Sequence, residues 1–337
     1  MSRGRKRTGE HVALGLPLPA PRSLLPEDKQ NTEIGGAQLQ IEGRIVQIMG
    51  KYHLAWDGEC VRPAFPGGRL ALRSQGLKNR VAVGDRVVLR PQTDGTALIE
   101  EVLPRGNKFC RRITFTNREH IIAANVDVVA VMLAPTPVLN TALLDRYLVA
   151  ARSSGIDAMV VVNKMDLLTP ELVDESLAPY RSLGLPSYRM SAKENHGIEP
   201  FLEAVAGKWV LLAGHSGVGK TTLVNDVDPG GTKPVGDVHE ATGKGKHTTS
   251  SAVAHRLPEG TVLVDTAGIR EFSLWNVGWR EVESGFPEIF HAAEGCRFAD
   301  CRHRGEPRCA VRQAVDREEI DAGRYQSYLT LLGESEE

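Results

Sequence analysis

Eight residues near the middle of the chain, Gly214-His215-Ser216-Gly217-Val218-Gly219-Lys220-Thr221, satisfy G-x-x-x-x-G-K-[ST] at every fixed position. That spacing serves phosphate binding. The glycines let backbone N–H groups curl around a β-phosphate with no Cβ in the way, and the start of the following helix adds partial positive charge. Lys220 is expected to reach the β- and γ-phosphates, the Thr221 hydroxyl to ligate Mg²⁺, and Thr222 to complete the phosphate-facing set. A glycine-rich turn with no ligand is the plainer alternative. Against it stand the apolar run WVLLA before the loop and the helical TTLVNDV after it, which is the context the motif requires. The loop alone does not choose between ATP and GTP.

The choice of base rests on Asn163-Lys164-Met165-Asp166, which follows the apolar run AMVVV and matches N-K-x-D. A carboxylate at Asp166 can accept hydrogen bonds from guanine N1–H and the 2-amino group. Adenine offers neither donor, so a buried carboxylate would stay unpaired and ATP would be rejected. Asn163 is expected to bond the base edge and brace the phosphate loop, and the Lys164 stem to pack along the purine. Ser191-Ala192-Lys193, about one βα unit later, matches S-A-K, whose backbone N–H would contact guanine O6.

Asp265-Thr266-Ala267-Gly268 follows TVLV and matches D-x-x-G. Asp265 would hold Mg²⁺ through a water, and the Gly268 N–H would sense the γ-phosphate. The polar, glycine-rich GKGKHTTSS between this motif and the phosphate loop offers Thr248 and Thr249 as the second Mg²⁺-linked hydroxyl, with Thr249 favoured. A plain surface loop is the alternative there. Ile269 stands where many GTPases carry a water-positioning glutamine, and a branched alkyl chain cannot orient a nucleophile. Slow intrinsic turnover is therefore expected, with His247 as the polar group that acts once a partner binds; RNA contact is the equal alternative for His247. The expected catalytic set is His247, Thr249 and Lys220.

A second chemistry lies near the end of the chain. Cys296-x4-Cys301-x-His303-x5-Cys309 offers three thiolates and one imidazole. Such a set suits tetrahedral Zn²⁺ with no open position, a structural rather than a catalytic site. A loop of free thiols is the alternative reading. Arg297, Arg302, Arg304 and Arg308 interleave with the ligands and suit phosphate or rRNA contact, or are general surface charge. Cys60 and Cys110 stand apart and read as ordinary buried thiols.

These motifs need elements to hold them. Residues 1–35, with Arg3, Arg5, Lys6 and Arg7 and several prolines, read as a flexible basic arm. Residues 36–106 break into five or so short alternating segments and suggest a small OB-fold β-barrel that binds RNA. Over 107–275, apolar strands alternate with helical stretches such as LLDRYLVAARSSG, which implies a doubly wound, mostly parallel α/β sheet. Residues 276–337 are richer in helix formers and enclose the Cys/His cluster. The formal net charge of −1 argues against a uniformly basic nucleic-acid coat while leaving room for local patches. No apolar run approaches a membrane span and no signal-peptide core begins the chain, so a cytoplasmic protein without membrane contact is expected.

The order of the motifs is unusual. The base motifs come first, then the phosphate loop, the switch threonines and D-x-x-G, whereas ordinary GTPases begin with the phosphate loop. A circular permutation keeps one spatial site. With G-K-G-K-H-T-T and the Cys/His tail, this order resembles the RsgA (YjeQ) family of small-ribosomal-subunit GTPases over nearly the whole chain beyond residue 35. The resemblance implies GTP/GDP, Mg²⁺ and one Zn²⁺ per chain, and a partner in the small ribosomal subunit and its rRNA. It also implies GTP hydrolysis stimulated by that particle late in its maturation; a monomer is expected. Two other classes compete. One is an RNA-binding protein with GTP as a structural or regulatory ligand and negligible turnover, which Ile269 keeps open. The other is a P-loop kinase or ATPase, which the Asp166 carboxylate opposes.

Overall fold

The computed structural model describes residues 39–50, 52–68, 81–113, 118–135, 139–167, 169–228, 252–266 and 272–335. Five strands come first: β1 (Ile41–Met49), β2 (Tyr52–Trp56), β3 (Val61–Pro66), β4 (Arg86–Pro91) and β5 (Ala97–Val102). They pair in the order β1-β2-β3-β5-β4, and β4 returns to β1, with Ile41 opposite Leu89. Only β3 and β5 run parallel. Closure leaves no free edge, and the interior is filled by Ile45, Ala55, Ala64, Val87, Leu89, Ala97 and Ile99. Alternation along each short strand sends these side chains inward. The result is the five-stranded OB-like barrel expected from the turn spacing.

A hairpin of β6 (Lys108–Ile113) and β7 (Arg118–Ala124) leads into the second layer system. There follow β8 (Val128–Leu133), α1 (Thr141–Ser153), β9 (Asp157–Val162), α2 (Pro170–Ser182), β10 (Ser187–Arg189) and α3 (Glu199–Ala204). Then come β11 (Trp209–Ala213), α4 (Lys220–Val227), β12 (Ala252–Arg256) and β13 (Val262–Thr266). The strands align as β10-β9-β8-β11-β13-β12, all parallel except β12. Why β8 is apolar throughout is plain from its two faces. Val129, Val131 and Leu133 meet Leu144 and Tyr147 of α1, whereas Val128, Ala130 and Met132 belong to the core that includes Phe201 of α3 and Leu223 of α4. A sheet covered on both sides is the doubly wound architecture, and its strand order puts β11 and its phosphate loop in the middle.

The barrel is continuous with this sheet, because Gln47 of β1 pairs with Val253 of β12. Two cation–π contacts seal the junction: the Arg44 guanidinium lies 3.3 Å from the Trp209 ring centroid, and that of Arg256 lies 3.8 Å from Trp56.

The chain ends in α5 (Trp279–Ser284), α6 (Pro287–Ala293), α7 (Ala310–Asp316) and α8 (Ala322–Ser335). These helices pack on the α1 side of the sheet; Val282, Phe286, Tyr328 and Leu332 share one core with Tyr147 and Val149. Within it Arg324, 2% exposed, donates to Asp145 of α1 at 2.6 Å and to Glu288 of α6 at 2.7 and 3.0 Å, while the Tyr180 hydroxyl of α2 donates to Asp145. Four helices from distant parts of the chain thus meet at one buried guanidinium. Of the two cysteines read as buried thiols, Cys110 is partly covered and burial pushes its thiol up to about 12, whereas Cys60 is exposed at the β2–β3 turn. Asp57, Gly58 and Glu59 place Cys60 in a polar surface turn, where its thiol stays exposed. No described helix is long and apolar enough to cross a membrane.

Candidate nucleotide site and metal centre

The phosphate loop leaves β11 at Gly214 and enters α4 at Lys220. Three of its glycines carry positive φ: Gly214 (136°), Gly217 (85°) and Gly219 (99°). Space adds a second constraint at two of them. A Cβ on Gly214 would run into the Met132 carbonyl oxygen, and one on Gly219 into Nδ2 of Asn163. The motif glycines therefore answer to close backbone approach as well as to dihedral angle.

Lys220 is 5% exposed, and its ammonium donates to the carbonyls of Gly214 at 2.7 Å and His215 at 3.0 Å. Burial lowers its pKa, and the nearby Asp265 carboxylate opposes that shift. The Thr221 hydroxyl donates to Oδ2 of Asp265 at 2.7 Å. Asp265 Oδ1 is buried and has no hydrogen-bond partner among the described residues. An acidic oxygen held next to a threonine hydroxyl and unsatisfied by protein is the donor set a hard divalent cation takes, so these residues fit Mg²⁺. Thr266, the next residue, faces the other way and donates to the Leu212 carbonyl.

The base motifs reach the same place from the far side of the permuted seam. Asn163, 2% exposed, donates through Nδ2 to the Val218 carbonyl of the phosphate loop at 2.8 Å, and its Oδ1 accepts from the Ala192 N–H at 2.9 Å. One side chain thereby ties N-K-x-D, S-A-K and the phosphate loop into a single constellation. Lys164 sits at φ 61°, which turns the chain sharply out of β9. The Ser191 hydroxyl donates to Oδ1 of Asp166 at 2.7 Å and orients that carboxylate. Asp166 itself is exposed, as are Lys193 and Ser216. The selectivity argument from sequence assumed a buried Asp166; its desolvation arises only when a base covers it.

Thr248, Thr249 and His247 lie outside the described residues, as do Gly268 and Ile269 and the basic arm at Arg3 to Arg7. The described flanks of these switches are anchored. β12 pairs with the barrel, and Phe272 stacks on Tyr147 at 4.4 Å between ring centroids and on Phe109 at 5.5 Å. Ser273 accepts at its carbonyl from the Arg112 N–H at 2.9 Å.

In the C-terminal segment the ligand atoms of Cys296, Cys301, His303 and Cys309 all lie within 4.8 Å of one another. His303 Nδ1 is 3.3 Å from the Cys309 sulfur and 3.5 Å from that of Cys296. Backbone N–H groups of Ala310 and Arg312 donate to the Cys296 and Cys309 sulfurs, at 3.3 and 3.5 Å, as they do to thiolates. Three sulfurs and one imidazole nitrogen converging in this way fit tetrahedral Zn²⁺. The other ring nitrogen, Nε2, meets Oε1 of Glu283 at 2.9 Å.

A match to the family described as RsgA GTPase covers residues 102–275. Among curated proteins, the small ribosomal subunit biogenesis GTPase RsgA of Azotobacter vinelandii is 41% identical over 75% of this chain and 74% of its own. The chain belongs to the RsgA GTPase family. A second RsgA, from Bacteroides thetaiotaomicron, is 34% identical over 88% of this chain and 98% of its own length. The crystal structure of YjeQ from Thermotoga maritima superposes with a TM-score of 0.69 at 31% identity, covering 88% of this chain and 99% of that one. That of YloQ, a circularly permuted GTPase, gives 0.66 at 24% identity and so supports the fold. Family membership makes the chain a GTPase and agrees with the permuted motif order.

Two contributors escaped the sequence reading. Glu283 lies in a charged helical turn and Arg324 in a mostly uncharged helix, with no motif or spacing to mark either. Only packing shows that one meets the metal centre and the other spans four helices.

Proposed function

We propose that this chain hydrolyses GTP to GDP and phosphate during late maturation of the small ribosomal subunit, and that turnover is gated by contact with that particle and its rRNA. The observation that carries the nucleotide assignment is Asn163 Nδ2 on the Val218 carbonyl, with Ala192 N–H on Asn163 Oδ1. This geometry supports one pocket with a guanine end at Asn163, Lys164, Asp166, Ser191, Ala192 and Lys193. Its phosphate end is Gly214, His215, Ser216, Gly217, Val218, Gly219, Lys220, Thr221 and Thr222. Asp166 would accept from the base, Lys220 would leave its two carbonyls for the phosphates, and Thr221 with Asp265 would hold Mg²⁺, which screens the developing phosphate charge. Thr248, Thr249 and Gly268 complete the switches in this reading. His247 is assigned the water-orienting role because Ile269 has no group to do so.

The ribosomal assignment follows the names of the relatives, which are small ribosomal subunit biogenesis GTPases. It divides the chain into a basic arm (1–35), an RNA-binding barrel (36–106), the GTPase body (107–275) and a zinc-bearing helical end (276–337). Zn²⁺ on Cys296, Cys301, His303 and Cys309 would rigidify a knob carrying Arg297, Arg302, Arg304 and Arg308. The protein works as a cytoplasmic monomer in this account.

Phosphate release measured with purified small subunits, large subunits or neither tests it. Stimulation by small subunits alone is expected, and His247→Ala should abolish it. Equal turnover under all three conditions would overturn the ribosomal reading. Absence of turnover in any of them would leave the nucleotide as a bound ligand.

A further inference from the structure

The His303 ring is buried and held at both nitrogens. Nδ1 faces the sulfurs of Cys296 and Cys309, and Nε2 lies 2.9 Å from the Glu283 carboxylate. With Nδ1 turned to the metal position, the ring proton belongs on Nε2, where Glu283 accepts it. The backbone of His303 is at φ 60°, so the residue does not reach this pose by an ordinary helical or extended path. Its carbonyl accepts from the Tyr325 hydroxyl of α8, which holds the peptide, and the Tyr328 ring lies 5.9 Å from the imidazole. Packing holds the ring, and the carboxylate is the acceptor that decides which of its nitrogens faces the sulfurs.

We propose that Glu283 is a positioning residue of the metal centre: its carboxylate locks the His303 ring with Nδ1 toward Zn²⁺, and so attaches the cluster to α5. This rests on the zinc reading given above. Glu283 is donated by α5, the first helix after the D-x-x-G segment, and Trp279 of the same helix lies 5.0 Å beneath the Arg302 guanidinium next to His303. At the end of α5, Gly285 is pressed against Val149 of α1 so closely that a Cβ would overlap the valine side chain. Metal ligation and the seating of α5 on the GTPase body are therefore linked through the Glu283–His303 hydrogen bond and the Trp279–Arg302 contact. Whatever orders the cluster orders α5, and the reverse holds by reciprocity.

The test is the zinc affinity of the full-length chain, read by competition with a chromophoric chelator, together with the visible spectrum of the Co²⁺-substituted protein. Glu283→Ala should weaken Zn²⁺ binding by roughly 10- to 100-fold and alter the Co²⁺ ligand-field bands. Glu283→Gln, whose amide oxygen still accepts from Nε2–H, should stay within a few-fold of wild type. Glu283→Asp, with the carboxylate drawn back by one methylene, should fall between and serves if the alanine variant does not fold. Ser284→Gly loosens the same helix without touching His303 and should leave both readouts at wild-type values. Wild-type affinity and spectrum in Glu283→Ala, or an equal loss in Ser284→Gly, would overturn the positioning role alone. A wild-type chain that binds no Zn²⁺ would overturn the zinc reading and this inference with it.

Discussion

In the proposed site Asp166 would select a base without being buried beforehand. The Ser191 hydroxyl fixes one oxygen, and a purine stacked over the site would desolvate the rest. Selectivity then comes from pairing two donors that guanine has and adenine lacks. Replacing the acceptor by a donor reverses the preference: Asp166→Asn should bind GDP about 30- to 150-fold more weakly, roughly 2–3 kcal/mol, and gain affinity for a xanthine nucleotide. Competition against a fluorescent GDP analogue reads both. Lys220 carries a prediction about protons. Burial lowers its pKa in the free protein, and the phosphates of a bound nucleotide would raise it again. Between the two values, binding takes up a proton, so GDP affinity should fall as pH rises, by at most tenfold per unit. Calorimetry in alkaline buffers of different ionisation enthalpy should show that uptake, and its absence would mean that Lys220 stays fully charged when empty.

Helices hold the site through a few long-range contacts. Arg324 is the clearest, since its guanidinium neutralises Asp145 and Glu288 inside the core shared by α1, α2, α6 and α8. Burial raises the Asp145 pKa, and the Arg324 charge and the Tyr180 hydroxyl work against that rise. Removing the cation strands two carboxylates, and Arg324→Met should cost about 3–5 kcal/mol in urea denaturation. The Asp145 carboxyl, raised by burial and no longer opposed by Arg324, would then titrate further above its unfolded value, so the variant should regain stability as pH falls below neutrality. Adding Asp145→Asn and Glu288→Gln should recover part of the loss at neutral pH. A ΔΔG under 1 kcal/mol for Arg324→Met would show that the network contributes little. The Arg146–Glu334 pair extends the same tie between α1 and α8 and, being partly exposed, is expected to contribute less.

For the whole molecule, the permutation decides what each switch is attached to. The strand after the switch threonines, β12, carries the barrel on its free edge, and the segment after D-x-x-G enters the Tyr147–Phe272–Phe109 stack before reaching α5. If these segments act as switches, as proposed, nucleotide-dependent movement would have a short mechanical path to the barrel and to the C-terminal helices. The Cys/His cluster sits at the end of the second path. Removing Zn²⁺ with a chelator should release hydrogen-exchange protection across residues 296–316 and lower the melting temperature, with recovery on adding Zn²⁺ back. GDP affinity should change far less, because no ligand of the metal touches the nucleotide pocket. Unchanged protection after chelation would show that the helices hold that segment without metal.

Contiguous motifs were legible in the residues themselves: the phosphate loop, N-K-x-D, S-A-K, D-x-x-G and the Cys/His spacing each concentrate their chemistry within a few positions. Turn residues between short alternating segments marked a small barrel, and apolar runs alternating with helical ones marked a sheet covered on both faces. Tertiary structure alone decided what depends on pairs far apart in the chain. Asn163 finds Val218 only because β9 and β11 flank β8 in one sheet, and Glu283 finds His303 only because α5 packs beside the cluster. The exposure of Asp166 and of Cys60 belongs to the same class. Local sequence encodes local geometry and donor type, whereas burial and long-range hydrogen bonds arise from how the elements stack, and no spacing rule reaches across the intervening elements to announce them.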